Sequence, residues 1–168
     1  MVESDEFGQR EGERSILLPD TFDAGLYFIG RIATRWRSRA ECPKNSAESD
    51  VLCTITVDAR YADGLKDLET CSHVIVLYWM DRAPRHLVLQ VPRHYREARG
   101  VFALRSPARP NPIALSVAEL VDIDAPRLKV RGLDCLDGTP LLDLKPYFPS
   151  TDARPSAEVQ WHAARKRR

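Results

Sequence analysis

Apolar positions along this chain fall mostly into short runs rich in β-branched and aromatic residues, cut by Pro, Gly, Asn and Asp. That is the pattern of strands and turns. Residues 26–33 (LYFIGRIA) predict a strand built around one glycine, and 51–58 (VLCTITVD) predict a second. Residues 73–80 (HVIVLYWM) form a continuous apolar run and predict a central strand. Tyr78 and Trp79 then point to opposite faces, one into the core and the other open to stack on a base. A shorter strand is predicted at 84–92, and strands at 101–104 and 113–121 flank a Pro-rich loop. Residues 128–133 (LKVRGL) alternate and are expected to pair with the preceding strand, and 141–144 form a last extended piece. Leu65 and Leu68 sit at helical spacing and predict one short helix over 61–71, with a terminal helix over 158–166. Residues 34–50 make a polar connection longer than usual.

These elements describe a mostly β chain of seven or eight short strands, and such sheets close or pack to protect their edges. The βαβ rhythm of a doubly wound fold is absent, and so is a Gly-rich phosphate loop. A nucleotide-like cofactor would have to be held in some other way.

Composition narrows the picture further. With 168 residues, 43% of them apolar, the chain is expected to fold as one domain with its own core. It has no stretch long enough to span a membrane, and its acidic N-terminal region lacks the apolar segment of a signal peptide. Four cysteines at low density, Cys42, Cys53, Cys71 and Cys135, read as free thiols of a cytoplasmic protein. They form no Cys-x-x-Cys pair, and His73, His86, His94 and His162 are scattered, so no metal site is expected. Charge is uneven. Residues 1–25 carry seven acids and two bases and read as a flexible acidic leader. Residues 84–109 carry six arginines against Glu97 alone, and residues 153–168 form a basic tail ending in Arg165, Lys166, Arg167 and Arg168. Blocks of one sign matter when the partner is a polyanion.

The arginine-rich stretch runs into residues 100–116 (GVFALRSPARPNPIALS), with Pro107, Pro110 and Pro112 around Arg105, Arg109 and Asn111. Proline fixes φ and biases the residue before it to extended geometry, so this segment is a stiff loop holding polar groups in place. Asp137, Gly138, Thr139 and Pro140 have strong turn chemistry, either an ordinary Asx-type turn or one whose backbone groups face a ligand. Asp143 and Lys145 alternate toward Tyr147. Asp81 and Arg82 end the most apolar run, as a surface turn or as the rim of a cleft. No nucleophile elbow or hydrolytic triad is visible. From residues alone the chain is an RNA-linked enzyme, an RNA-binding module or a small-anion binder.

Residues 100–116, the strand and Cys-Pro-basic-amide loop of 27–45, and 133–149 (LDCLDGTPLLDLKPYFP) together resemble the signatures of the TrmO, or YaeB-like, family. With 73–81 the resemblance covers about 26–152. It implies a small single-sheet β-barrel with short flanking helices, a non-Rossmann methyltransferase that uses S-adenosyl-L-methionine. The implied reaction methylates N6 of threonylcarbamoyladenosine at position 37 in the anticodon loop of tRNA. A homodimer with the cofactor near its interface is implied as well. Matched motif by motif, cofactor contacts are implied for Pro43, Lys44, Asn45, Asp81, Arg82, Arg105, Leu115, Cys135, Leu136, Asp137, Gly138 and Thr139. Arg105 would pair with the methionyl carboxylate and Leu115 would form an apolar wall. Asp137 is the candidate to take the N6 proton, with the substrate carboxylate or a water as rivals. Arg96, Arg99, Arg109, Asn111, Lys145 and Tyr147 are the candidates for the RNA, Arg109 facing outward to phosphate.

The chain departs from the family pattern at Lys44 and Asn45, where Arg-Gln is usual, at Leu104, where Thr is usual, and at Ala114, where Gly is usual. The acceptor is therefore open to change: a same-fold methyltransferase with a different small or nucleoside acceptor, or a non-catalytic RNA- or cofactor-binding module, are the alternatives. Some members carry a further C-terminal domain thought to hold tRNA, a role the basic tail is expected to take.

Overall fold

Strands with one apolar face bury it most completely by closing into a cylinder, which also removes their free edges. The computed structural model describes residues 10–166 except residue 94, and there six strands do this. In chain order the strands are β1 (Arg14–Ser15), β2 (Gly30–Ala33), β3 (Cys53–Val57), β4 (His73–Trp79), β5 (Leu87–Gln90), β6 (Arg99–Gly100), β7 (Ile113–Asp124), β8 (Arg127–Arg131) and β9 (Thr139–Pro146). The barrel order is β2-β3-β8-β7-β4-β9, antiparallel at each junction, and β9 returns to β2. A separate small sheet, β1-β5-β6, stands beside it. Short helices α1 (Pro149–Asp152) and α2 (Gln160–Lys166) follow.

Alternation sends Ile32, Ile55, Val74, Val76, Tyr78, Ala118, Leu128, Val130 and Leu141 into the barrel, all fully or almost fully buried. Gly30 is required where β2 crosses β3: a Cβ there would lie 2.1 Å from the Thr56 carbonyl oxygen. Register fixes where the loops go. Ile32 pairs with Thr139, Ala33 with Thr54, Trp79 with Ile113 and Cys53 with Val130. The connections 34–52, 80–112 and 132–138 therefore leave the same end of the barrel.

The predicted fold is what the chain forms, with local differences. The strand predicted at 26–33 begins only at Gly30, because Leu26, Tyr27 and Phe28 are exposed and lie outside the ladders. The predicted strand at 101–104 is a tight 3-10 turn at Val101–Ala103, closed by Leu104 N–H donating to Val101 O at 3.2 Å. Instead of one helix over 61–71 there are two 3-10 runs, Ala59–Leu65 and Leu68–Thr70. Asp67 separates them with φ at +67°, which no right-handed helix continues through. β9 extends well beyond 141–144 and closes the barrel. Part of the segment read as a leader is docked: Arg14–Ser15 pairs with β5, and Ile16 N–H donates to His86 O at 2.7 Å. Residues 1–9 of that leader, Arg167 and Arg168 of the tail, and His94 lie outside the described residues.

Candidate functional site

The Pro-rich loop is held from within. Arg109 donates from Nε to Ser106 O at 2.9 Å, and from Nη2 to Val101 O at 2.8 Å and to Leu104 O. Its guanidinium is committed to the loop's own carbonyls, not presented outward as expected for a phosphate contact. The cause is steric: prolines keep the loop extended, and extended carbonyls without a ladder need another donor. Ala108 anchors the loop by packing with Val101 and Leu87 in a small apolar cluster. Arg85 braces it from outside, donating to Pro110 O at 2.7 Å and, at 3.4 Å, to Asn111 Oδ1. The same guanidinium stacks over Trp79 at 5.4 Å and Phe22 at 5.3 Å. Of the aromatic pair ending β4, Tyr78 is the core residue and Trp79 is covered by Arg85.

The 132–138 turn is pinned to the segment after β2. Thr34 N–H donates to Asp137 Oδ1 at 3.0 Å, and Thr34 Oγ1 to Cys135 O at 3.0 Å. The Asp137 and Gly138 N–H groups donate to Trp36 O at 2.7 Å and Ile32 O at 2.9 Å. Arg31 donates to Gly138 O at 2.9 Å, and Thr139 Oγ1 to Leu136 O at 2.7 Å. Gly138 has φ at +80°, a conformation that favours glycine. Beneath the turn, the Tyr78 hydroxyl donates to Asp134 Oδ1 at 2.7 Å and lies 3.0 Å from Ser116 Oγ. Burial, then the Asp134 charge, pushes the Tyr78 phenol up. Burial also pushes the Cys135 thiol up, and the Cys53 thiol to about 11. All four cysteines are free thiols.

Two clefts meet at Arg105. The first, ≈ 490 Å³, lies against the outer face of β7 and takes in Ser46, Asp50, Arg105, Leu115, Glu119 and Arg131. The second, ≈ 680 Å³, is lined by Arg10, Arg39, Lys44, Gln90, Arg93 and Arg105 among others. Arg105 Nη2 donates to Leu115 O at 2.7 Å, which fixes the guanidinium at the boundary. Asn45 caps the 3-10 turn Ser46–Glu48, whose Ser46 lines the first cleft, by accepting from Ala47 N–H at 3.0 Å.

The structure thus brings Lys44, Arg105 and Leu115 to these clefts, with Pro43 and Asn45 adjoining in sequence. Asp81, Arg82 and the Cys135–Thr139 turn leave the same barrel end but line neither cleft. Arg82 and Asp81 are exposed on the turn after β4. Among the RNA candidates, Arg96 and Asn111 are exposed. Arg99 is ion-paired to Glu97 at 2.7 Å and lies 5.8 Å over Trp161. Lys145 pairs with Asp143 at 2.6 Å. Lys145 and Tyr147 belong to the opposite end of the barrel, because β9 has crossed the whole sheet by then. Sequence reasoning missed Arg10, Arg39, Gln90 and Arg93 in the second cleft, and Asp50, His73, Glu119 and Arg131 in the first. They come from segments far apart in the chain, so no local spacing marks them. Leu104 lines the second cleft, and Ala114 packs half-buried against the core.

The model of the tRNA-methyltransferase O N-terminal domain matches residues 31–153. The chain belongs to this family. The probable S-adenosyl-L-methionine-binding protein VirR of Rhizobium radiobacter is 44% identical over 137 residues, 82% of this chain and 78% of its own. The tRNA (adenine(37)-N6)-methyltransferase of Escherichia coli is 38% identical over 108 residues, 60% of this chain and 46% of its own. The crystal structure of TrmO from Pseudomonas aeruginosa superposes with a TM-score of 0.68 at 33% identity, over 82% of this chain and 61% of that one. The chain therefore spans about three fifths of the solved relatives it matches. Among the described residues, no helix is long and apolar enough to cross a membrane.

Proposed function

We propose that this protein is an S-adenosyl-L-methionine-dependent methyltransferase acting on N6 of threonylcarbamoyladenosine at position 37 of tRNA. The observation that carries it is Arg105, held by Leu115 O at the boundary of two clefts, where one guanidinium would border both a cofactor and an acceptor.

The first cleft suits the cofactor. Its volume lies within the ~300–1,000 Å³ typical of small-molecule sites. Its donor set is complementary: Arg105 for a carboxylate, Asp50 and Glu119 for an ammonium or ribose hydroxyls, Leu115 and Val117 for the apolar part. When bound, the cofactor supplies an electrophilic methyl group on sulfur. The chain's part is to orient this group toward the acceptor, and that placement supplies much of the rate. N6 must lose its proton as the carbon–nitrogen bond forms. Asp137 lines neither cleft, and its Oδ1 already accepts from Thr34 N–H, so the acceptor's own carboxylate is favoured over Asp137 as the group that takes it.

A homodimer belongs to this reading and is supported by an unpartnered stripe on β7. Ile113, Leu115, Val117 and Val121 alternate outward and are 39–44% exposed beside the first cleft. A partner there would enclose the cofactor and bring further residues to it. A cytoplasmic site of action follows from the proposed substrate. Leu104 in the second cleft favours a runner-up, the same chemistry on a different nucleoside acceptor.

The test is calorimetry with S-adenosyl-L-methionine. Arg105→Ala is expected to raise the dissociation constant by about 10–100-fold, the worth of a charge-assisted hydrogen bond. Unchanged affinity in the variant would remove Arg105 from the site and with it the reading of the clefts.

A further inference from the structure

We propose that the ≈ 680 Å³ cleft holds the RNA strand that carries the acceptor, and that residues 10–15, outside the family-matched residues 31–153, form one of its walls. This rests on the RNA methyltransferase function proposed above and assigns the RNA to particular residues.

Charge comes first. Among the described residues, Arg10, Arg39, Lys44, Arg93 and Arg105 line the cleft against a single carboxylate, Glu13. Glu13 is occupied within its own wall. It accepts from Arg10 N–H at 3.0 Å, from Arg10 Nη2 at 2.8 Å and from Val91 N–H at 3.0 Å, and its side chain is only 3% exposed. What the cleft presents is positive, and guanidinium forks match phosphate oxygens better than any other side chain.

The wall is built, not draped. Arg14 and Ser15 pair with Leu89 and Leu87 of β5, and Arg10 Nη2 also donates to Val91 O. These bonds fasten Arg10 and Glu13 to the same sheet that carries Gln90 and leads into Arg93. A second observation points to a ligand with a polar edge. Gln90 lines the cleft, and its Oε1 is buried without a hydrogen-bond partner among the described residues. Native proteins seldom leave such an acceptor unmet. A base amine or a ribose hydroxyl from a nucleotide laid along the cations would meet it once the Gln90 amide turns toward the cleft. Arg105 then joins this strand to the cofactor cleft, where the methyl group is expected.

The experiment measures binding of a fluorescent anticodon-arm stem-loop RNA by anisotropy across a salt series, with full-length protein. Arg93→Glu is expected to weaken binding about 10-fold or more and to flatten the slope of log affinity against log salt by about 1. Gln90→Leu is expected to weaken binding about 3–10-fold with the salt slope unchanged, because it removes a polar contact and no charge. Arg10→Gln is expected to weaken binding and flatten the slope as Arg93→Glu does, to a smaller extent. Affinity for S-adenosyl-L-methionine should stay at the wild-type value in all three. Should Arg93→Glu fail to fold, Arg93→Gln keeps the measurement, with a smaller loss. Wild-type RNA affinity in the Arg93 and Gln90 variants overturns the assignment while leaving the proposed function standing, as does a loss confined to the cofactor. A wild-type protein that ignores the RNA overturns both.

Discussion

Replacing Arg109 separates two roles for the most arginine-rich part of the chain. Its guanidinium makes three hydrogen bonds, to Ser106 O, Val101 O and Leu104 O, all within the Pro-rich loop. Hydrogen bonds from a charged donor contribute about 1.5–3 kcal/mol each. The side chain is half-buried, water can replace part of what is lost, and three bonds on one group do not add. Arg109→Ala is therefore expected to cost about 2–4 kcal/mol. For a domain of this size that lowers Tm by roughly 5–15 °C if the loop melts with the barrel. If it melts alone, the loss appears as faster amide exchange confined to the loop. Arg109→Lys keeps the charge but not the planar fork, so it should behave like the alanine variant. Thermal unfolding and hydrogen exchange read the structural effect, and RNA titration reads the alternative. A wild-type melt and exchange pattern in Arg109→Ala, with RNA affinity lost in that variant and kept in Arg109→Lys, would refute the clasp and restore a phosphate contact.

Three further outcomes are expected. Gly30→Ala drives a Cβ into the Thr56 carbonyl and should destabilise the barrel by about 3 kcal/mol or prevent folding, read by urea unfolding; a shift below 1 kcal/mol would contradict the close crossing. Tyr78→Phe removes the bond to Asp134 and leaves buried Ser116 Oγ without it, at a cost of about 1.5–3 kcal/mol in the same assay, with Asp134→Asn expected to cost less because the phenol keeps a partner. Burial raises the Glu13 carboxyl, but bonds from the Arg10 and Val91 N–H groups and the Arg10 side chain outweigh this and hold it below the usual value of 4.5. Its contribution is then fully present above about pH 4.5 and lost as pH falls through the lowered value. Protection of the β5 amides, measured against the intrinsic exchange rate at each pH, should fall in acid in wild type, and Glu13→Gln should show the low protection at all pH values.

The barrel was legible from apolar runs rich in β-branched and aromatic residues in β3 and β4, from the apolar positions of β7, and from direct alternation in β8. It was misleading where apolar residues stay exposed. Leu26, Tyr27 and Phe28 look like strand but are exposed and pair with no strand among the described residues. Residues 101–104 have strand composition, but Arg109 gathers the carbonyls of Val101 and Leu104 and turns the backbone. Leu65 and Leu68 have helical spacing, but Asp67 in the left-handed region breaks the helix between them. The loops that carry most of the family motifs, 34–52, 80–112 and 132–138, leave one end of the barrel together. The motifs could not point to the basic cleft. Its cations lie between residues 10 and 105, on four segments, and only β1 docking on β5 and the loop folding over both bring them into one place.

The central claim is that this barrel transfers a methyl group to a tRNA nucleoside. Purified protein, isotopically labelled S-adenosyl-L-methionine and tRNA bearing threonylcarbamoyladenosine, followed by nucleoside mass spectrometry, tests it most directly. One labelled methyl on the threonylcarbamoyladenosine is the predicted result, with less when Arg105→Ala replaces wild type at a cofactor level that saturates only the wild type. Saturable cofactor binding with no label in that nucleoside, or label in a different one, would contradict it.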